Sequence, residues 1–276
     1  MPQQALSNNK KMDNLKITLV QADLIWEDAT ANKLKFDRFF ENINTPTDLI
    51  ILPEMFTTGF SMFPQPLAEV LPGTTSEWLK KWAEKLNAAI VGSLIIKEKN
   101  RYYNRLLWVM PDGKILHYDK RHLFSFANEH QQYTAGQEQL IVQYKGWKIM
   151  PLICYDLRFP VWSRNTMEYD LLIYIANFPD KRNYAWRNLL RARAIENQAY
   201  TIGLNRVGTD GNDVYYAGNS CVLNYDGHYK AQLSPGEIMQ TVTLHHDEQK
   251  QFRKNFAFLD DQDAFDFIPY SIKSKN

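Results

Sequence analysis

Apolar and polar positions alternate over residues 15–22, a two-residue period that predicts a strand ending near Gln21-Ala22-Asp23. The period then lengthens. Over 29–42, with Ile43 just beyond, Leu34, Phe36, Phe39, Phe40 and Ile43 recur at helical spacing, and Pro46 ends the element. A strand is expected at 49–52, a turn at Pro72-Gly73, and a helix over 78–87 with Thr74-Thr75-Ser76-Glu77 as its cap. Strands follow at 88–96 and 101–110, and Pro111-Asp112-Gly113 turns the second of these into 114–118. Residues 120–136 show no clean period. A second hairpin runs from 141–144 through Gly146 into 147–154. Beyond it the pattern gives a short helix at 160–167, a buried strand at 171–176 and a long helix at 184–198. That helix offers Leu189, Leu190, Ala192 and Ile195, with Ala199 just beyond, to its inner face. Strands at 200–205, 214–218, 220–224, 229–233 and 238–244 complete the series, the last closing the sheet.

Strands outnumber helices by about two to one, with hairpins at some joins and helices at others, which predicts a layered α/β fold. Neither a linker rich in Pro, Gly or Ser nor a mid-chain shift of composition is present, so 15–245 reads as one domain. Residues 1–14 read as a frayed tail. Residues 246–276 form a charged, aromatic tail whose Phe252, Phe256, Phe258, Phe265 and Phe267 exceed what a free end should expose. They are expected to pack on the chain's own core or on a second copy.

The 276 residues are enough for a substantial core, burying roughly 75% of the unfolded surface. With 45% hydrophobic residues and a formal net charge of +1, the chain has no electrostatic footprint for nucleic acid and no disordered character. No apolar stretch reaches the roughly 18 residues of a membrane span, and the polar first 14 residues lack a signal core. Cys154 and Cys221 are the only cysteines, too few for a disulfide framework and suited to a reducing compartment. The chain reads as a soluble cytoplasmic enzyme.

The candidate chemistry stands at strand ends. Cys154 closes the apolar run Trp147-Lys148-Ile149-Met150-Pro151-Leu152-Ile153, Glu54 follows Leu49-Ile50-Ile51-Leu52-Pro53, and Lys120 follows Lys114-Ile115-Leu116-His117-Tyr118-Asp119. A thiol with a pKa near 8.5 is only a few per cent thiolate at neutral pH and needs a base or a cation beside it. Glu54 supplies a base. Lys120 supplies a cation and a donor to the oxyanion formed when sulfur attacks a carbonyl carbon, with the Tyr155 N–H as second donor. Taken singly, each residue also fits a plain role, an inert core thiol or a solvated loop charge. A papain-like site would instead need a histidine base, for which His122, His130 and His228 are available. A metal site is not indicated, since His245-His246 is adjacent rather than four apart. A binding module with a dead site is the non-enzyme alternative.

Three segments decide among these. Leu52-Pro53-Glu54-Met55-Phe56, Asp119-Lys120-Arg121-His122-Leu123-Phe124 and Cys154-Tyr155-Asp156-Leu157-Arg158-Phe159-Pro160 resemble, in order and spacing, the signature regions of the nitrilase superfamily of carbon–nitrogen hydrolases. The likeness continues through Ala176-Asn177-Phe178-Pro179 and Trp186 to Arg191-Ala192-Arg193-Ala194-Ile195-Glu196-Asn197, covering about 15–245. It implies a single-domain, four-layer αββα sandwich and a triad of Glu54 as general base and acid, Lys120 as oxyanion donor and Cys154 as nucleophile. It also implies Glu129 as a second glutamate that orients Lys120 and the substrate amide. No cofactor and no metal are implied; a homodimer or larger homo-oligomer is.

Within the superfamily, the segments around Asn128-Glu129-His130 and Pro160-Val161-Trp162-Ser163-Arg164-Asn165 look most like bacterial omega-amidases. These deaminate 2-oxoglutaramate and 2-oxosuccinamate. The alternative is an amidase of deaminated glutathione or of another small amide or N-carbamoyl compound, and a nitrile would use the same triad. A substrate carboxylate calls for cations or amide donors. Arg182, Arg187, Arg206 and Asn177 are candidates, with Phe60, Phe126, Phe178 and Trp186 as walls. Arg191 and Arg193 are expected on a solvated helix face, and Arg158 as a brace of the turn after Cys154.

Overall fold

The computed structural model describes residues 14–267. Residues 1–13 of the expected N-terminal tail, and 268–276 of the C-terminal one, lie outside them. In chain order the strands are β1 (Leu15–Gln21), β2 (Leu49–Ile51), β3 (Ala89–Glu98), β4 (Arg101–Val109), β5 (Ile115–Asp119), β6 (Val142–Tyr144), β7 (Trp147–Ile153), β8 (Leu171–Ala176), β9 (Tyr200–Asn205), β10 (Val207–Thr209), β11 (Tyr215–Ala217), β12 (Cys221–Leu223), β13 (Tyr229–Gln232) and β14 (Ile238–Leu244). The helices are α1 (Ala29–Glu41), α2 (Pro64–Leu67), α3 (Thr74–Leu86), α4 (Glu129–Gln132), α5 (Asn183–Asn197) and α6 (His246–Asn255).

Two six-stranded sheets result, ordered β14-β1-β2-β3-β4-β5 and β13-β12-β9-β8-β7-β6, with β10 and β11 forming a separate two-stranded ribbon. In the first sheet β1, β2 and β3 run parallel; in the second β7, β8 and β9 do. Alternation decides which sheet face meets what. Ile17, Leu19, Leu49 and Ile51 of the first sheet share one core with Ile149 and Ile173 of the second. Val20, Ile50 and Leu52 face the other way, into Phe36 and Phe40 of α1 and Leu79 and Trp82 of α3. On the outer face of the second sheet, Trp186, Leu190 and Ala194 of α5 join the main core. The layers are therefore helix, sheet, sheet, helix, a single-domain four-layer αββα sandwich as the resemblance implied.

Several elements differ from the pattern-based reading. The residues read as the cap of α3 form its first turn, and the Gly73 N–H donates to the Ser76 hydroxyl instead. The segment 160–167 is turns, and the short helix lies earlier, as a 3₁₀ turn over Cys154–Arg158. The inner face of α5 is Trp186, Leu190, Arg193, Ala194 and Asn197, while Ile195 is exposed. Arg193 is thus buried rather than solvated: its guanidinium donates to the Leu157 carbonyl at 2.7 Å and pairs with Glu196 at 3.0 Å. The C-terminal tail begins with α6, which packs on the chain itself. Gln249 donates to the carbonyls of Asp170 and Gln198, and Arg253 reaches Tyr169 and Gln198. These anchors are polar, so hydrophobic periodicity could not announce the helix.

Gly203, in mid-β9, lets α5 lie close on the second sheet. A Cβ there would sit 2.3 Å from Leu190 Cδ1 and 2.7 Å from Trp186 Cζ2. Gly203→Ala is expected to destabilise the fold by about 1–3 kcal/mol through overpacking, read as a lowered denaturant midpoint at unchanged slope.

Candidate active site

The strand ends carry their charged residues inward. Glu54 lies three residues beyond β2, Lys120 directly after β5 and Cys154 directly after β7; Glu54 is fully buried and Lys120 and Cys154 nearly so. Met55 and Cys154 both adopt left-handed backbone, at φ +44° and +43°. For a residue with a Cβ that conformation costs about 1–2 kcal/mol, so the surrounding turns must hold it. At Cys154 it breaks the strand abruptly into the 3₁₀ turn and puts the sulfur at the sheet edge. The Asn177 carbonyl oxygen, just past β8, lies 3.8 Å from Sγ.

A single ammonium joins the parts. Lys120 Nζ is 2.8 Å from Glu54 Oε1 and 3.0 and 2.9 Å from the two oxygens of Glu129, all three side chains being buried. Glu129 also accepts the Phe124 N–H. The other Glu54 oxygen accepts the Asn177 N–H at 2.8 Å, while the Asn177 side-chain amide donates to the Glu54 carbonyl at 2.7 Å. Asn104 Nδ2 donates to Glu54 Oε1 at 2.8 Å and to Glu129 Oε1 at 3.4 Å. Burial opposes the Lys120 charge, but the Glu129 and Glu54 carboxylates outweigh it and hold the ammonium protonated above the ordinary lysine range. Burial raises Glu129, with Lys120 opposing. Burial, and then the charge and hydrogen bond of Glu54, push the Cys154 thiol well above its usual range. The resting sulfur is therefore a thiol with a carboxylate acceptor beside it. Such a set can transfer the proton as the thiol attacks and can donate a cationic N–H to an oxyanion.

Cys154 and Lys120 open into a cavity of about 870 Å³. Of the residues proposed for substrate contact, Phe60, Phe126, Tyr155, Asn177 and Phe178 line it. Trp186 does not: it lies behind Phe178, ring centroids 5.1 Å apart, with its indole N–H on the Asn219 carbonyl. Arg187 is exposed on α5 and Arg206 is buried against Asp23 and the Leu24 carbonyl; neither lines the cavity. The lining cations besides Lys120 are Arg158, Lys181 and Arg182, so Arg158 faces the cavity rather than serving only as a brace. No histidine is among the lining residues. His122 bonds to Asp156, and His130 and His228 are exposed. Sequence reading missed Asn104, which ties the two glutamates together. Its one signal was an amide in mid-strand, where such residues are depleted.

Lys120→Met would leave Glu54 and Glu129 buried without their cation, and is expected to cost about 3–5 kcal/mol of stability near neutral pH. Burial raises the Glu129 proton affinity in the folded state, so the folded chain holds that proton more tightly than the unfolded one. Stability from this group is present below the unfolded carboxylate range and is lost as pH rises through the folded value. Denaturant unfolding should accordingly find the variant more damaged at pH 8 than at pH 5.

Comparison with known proteins agrees with this architecture. The carbon-nitrogen hydrolase family model matches residues 16–254. A Yersinia enterocolitica protein named omega-amidase YafV is 48% identical over 256 residues, 92% of this chain and 99% of its own. A Bacillus subtilis 2-oxoglutaramate amidase is 32% identical over 250 residues, 89% of this chain and 96% of its own. Among solved structures, XC1258 from Xanthomonas campestris, a CN-hydrolase superfamily protein with an arsenic adduct in its active site, superposes with a TM-score of 0.91 at 42% identity, covering 93% of this chain and 100% of that one. The chain belongs to the carbon-nitrogen hydrolase family, within the nitrilase superfamily.

Proposed function

We propose that the chain hydrolyses the terminal amide of a small keto-acid amide, 2-oxoglutaramate or 2-oxosuccinamate, to the acid and ammonia through a thioester on Cys154. Membership of the family makes it an amide-hydrolysing enzyme. The observation that carries the mechanistic reading is the buried ammonium of Lys120, held by Glu54 and Glu129 at the wall of the cavity that Cys154 enters. Cys154 attacks the amide carbonyl as Glu54 takes its proton. Lys120 and the Tyr155 N–H hold the oxyanion, and Glu129 fixes Lys120 and the amide. Glu54 then protonates the departing ammonia. Water, deprotonated by Glu54, releases the acid.

The substrate class rests on charge and on relatives. Arg158 and Arg182 flank the Phe178 ring at 5.7 and 6.0 Å, Arg182 also lies 4.9 Å over Phe124, and Lys181 adds a third cation. A cavity with aromatic walls and clustered cations fits a short chain ending in a carboxylate. The names of the Yersinia and Bacillus relatives, which belong to those proteins, point to the same class. A cytoplasmic location and a homodimer belong to the same reading. Both cysteines are free, and Phe256, Phe258, Phe265 and Phe267 near the C-terminus are exposed. We retain 15–245 as the hydrolase domain, with α6 packed against it and the exposed segment after α6 as the candidate dimer contact.

Ammonia release from 2-oxoglutaramate, glutamine and deaminated glutathione should be compared side by side. The reading predicts the keto-acid amide as preferred substrate and turnover abolished by Cys154→Ala or Glu54→Gln; a histidine-based enzyme would survive the second change. Preference for deaminated glutathione would select the alternative amidase. Arg182→Ala is expected to raise KM for 2-oxoglutaramate about ten-fold or more, with kcat within three-fold, because the lost contact serves ground state and transition state alike.

A further inference from the structure

Asp156, two residues past Cys154, is fully buried, and its carboxylate meets four hydrogen-bonding groups. Oδ2 accepts the Ile153 N–H at 3.1 Å and the Tyr118 hydroxyl at 2.8 Å. Oδ1 accepts the His122 N–H at 3.0 Å and lies 2.8 Å from His122 Nδ1. That fills the roughly four lone-pair sites a carboxylate has. The donors come from two places. Ile153 directly precedes Cys154, whereas Tyr118 and His122 stand two residues either side of Lys120. The Lys120 flank is itself braced: the Tyr118 hydroxyl accepts from Trp162 Nε1 and the Arg121 N–H, and the His122 ring stacks on Phe159 with centroids 3.8 Å apart.

We infer that Asp156 is a positioning residue, the clamp that fixes the Lys120 loop against the Cys154 turn so that Nζ and the Tyr155 N–H meet the same oxyanion. The inference rests on the roles proposed above for Lys120 and Cys154. Its physical basis is that β5 and β7 belong to different sheets. No backbone ladder sets the separation of their ends; the buried carboxylate shared between the two loops does, with the Trp162–Tyr118 bond and the His122–Phe159 stack beside it. A misplacement of about 1 Å at such a site costs roughly 100-fold in rate. The turn keeps other anchors that hold the sulfur, the Arg193 bond to the Leu157 carbonyl and the backbone bond from Phe159 to Asp156.

Asp156→Asn keeps the volume but replaces one acceptor oxygen with a donor that faces donors. His122→Phe keeps the stack on Phe159 and loses only the ring hydrogen bond, at a side chain that is partly exposed. Both are assayed for amide turnover and for alkylation of Cys154 by iodoacetamide, a displacement at saturated carbon that forms no oxyanion. Expected are a fall in kcat of about 100-fold for Asp156→Asn and about 10-fold for His122→Phe, each with KM within three-fold. Alkylation should stay within about three-fold of the parent, and the double variant should match Asp156→Asn because the two residues act as one unit. Alkylation falling in parallel with turnover, unchanged kcat in His122→Phe, or multiplicative losses in the double variant would overturn the clamp. Turnover persisting in Cys154→Ala would instead overturn the underlying assignment of the nucleophile.

Discussion

One buried cation organises this molecule. Removed from water, the Lys120 ammonium would be costly alone, and so would Glu54 and Glu129. With both carboxylates within 3.0 Å of the ammonium the charges compensate, and the three loops that deliver them are tied together. Glu54 then binds Asn177 through both backbone and side chain, joining the first sheet to the second, and Asn104 spans the two glutamates from within β4. The polar cluster closes the seam between the sheets at the edge where the parallel strands end. Burial, with the Glu54 carboxylate adding to it, keeps the neighbouring thiol protonated at rest.

That electrostatic state has a chemical consequence. On the proposed mechanism a thiolate standing beside two carboxylates would be strongly disfavoured, so activation accompanies attack. A thiol coupled to a base becomes nucleophilic only as a carbonyl arrives and the charge moves on to oxygen, where the Lys120 N–H waits. The three groups proposed for catalysis sit after different strands, since no single element can carry three side chains to one point from three directions.

The sheets and main helices were legible because most obey a strict period. β1, β8 and α1 stand within a residue or so of where alternation and helical spacing put them. α6 was not legible: Gln249 and Arg253 bury polar atoms against carbonyls, His246 lies 3.4 Å from the Asp170 carboxylate, and no apolar stripe marks them. The 3₁₀ turn over Cys154–Arg158 was hidden for a related reason: the hydrogen bonds to Asp156 leave no mark in hydrophobic periodicity, and Leu157 alone is too short a signal. At the site, spacing offered Glu54, Lys120 and Cys154 as strand-end residues, and family resemblance added Glu129. Neither could tell which cations face the cavity. Arg158 and Arg187 are equally charged, and only the course of the chain after β7 and along α5 separates a lining residue from an exposed one. Asn104 escaped because an amide in a strand carries no motif, only an unexplained polarity.

The most direct test of the central claim is rapid-quench mass spectrometry of the protein mixed with 2-oxoglutaramate at acid-stopped times within one turnover. The account predicts a transient adduct equal to the substrate less ammonia, confined to the peptide containing Cys154 and discharged by water. Ammonia formed at full rate with no covalent adduct at any time, or an adduct on another residue, would contradict it.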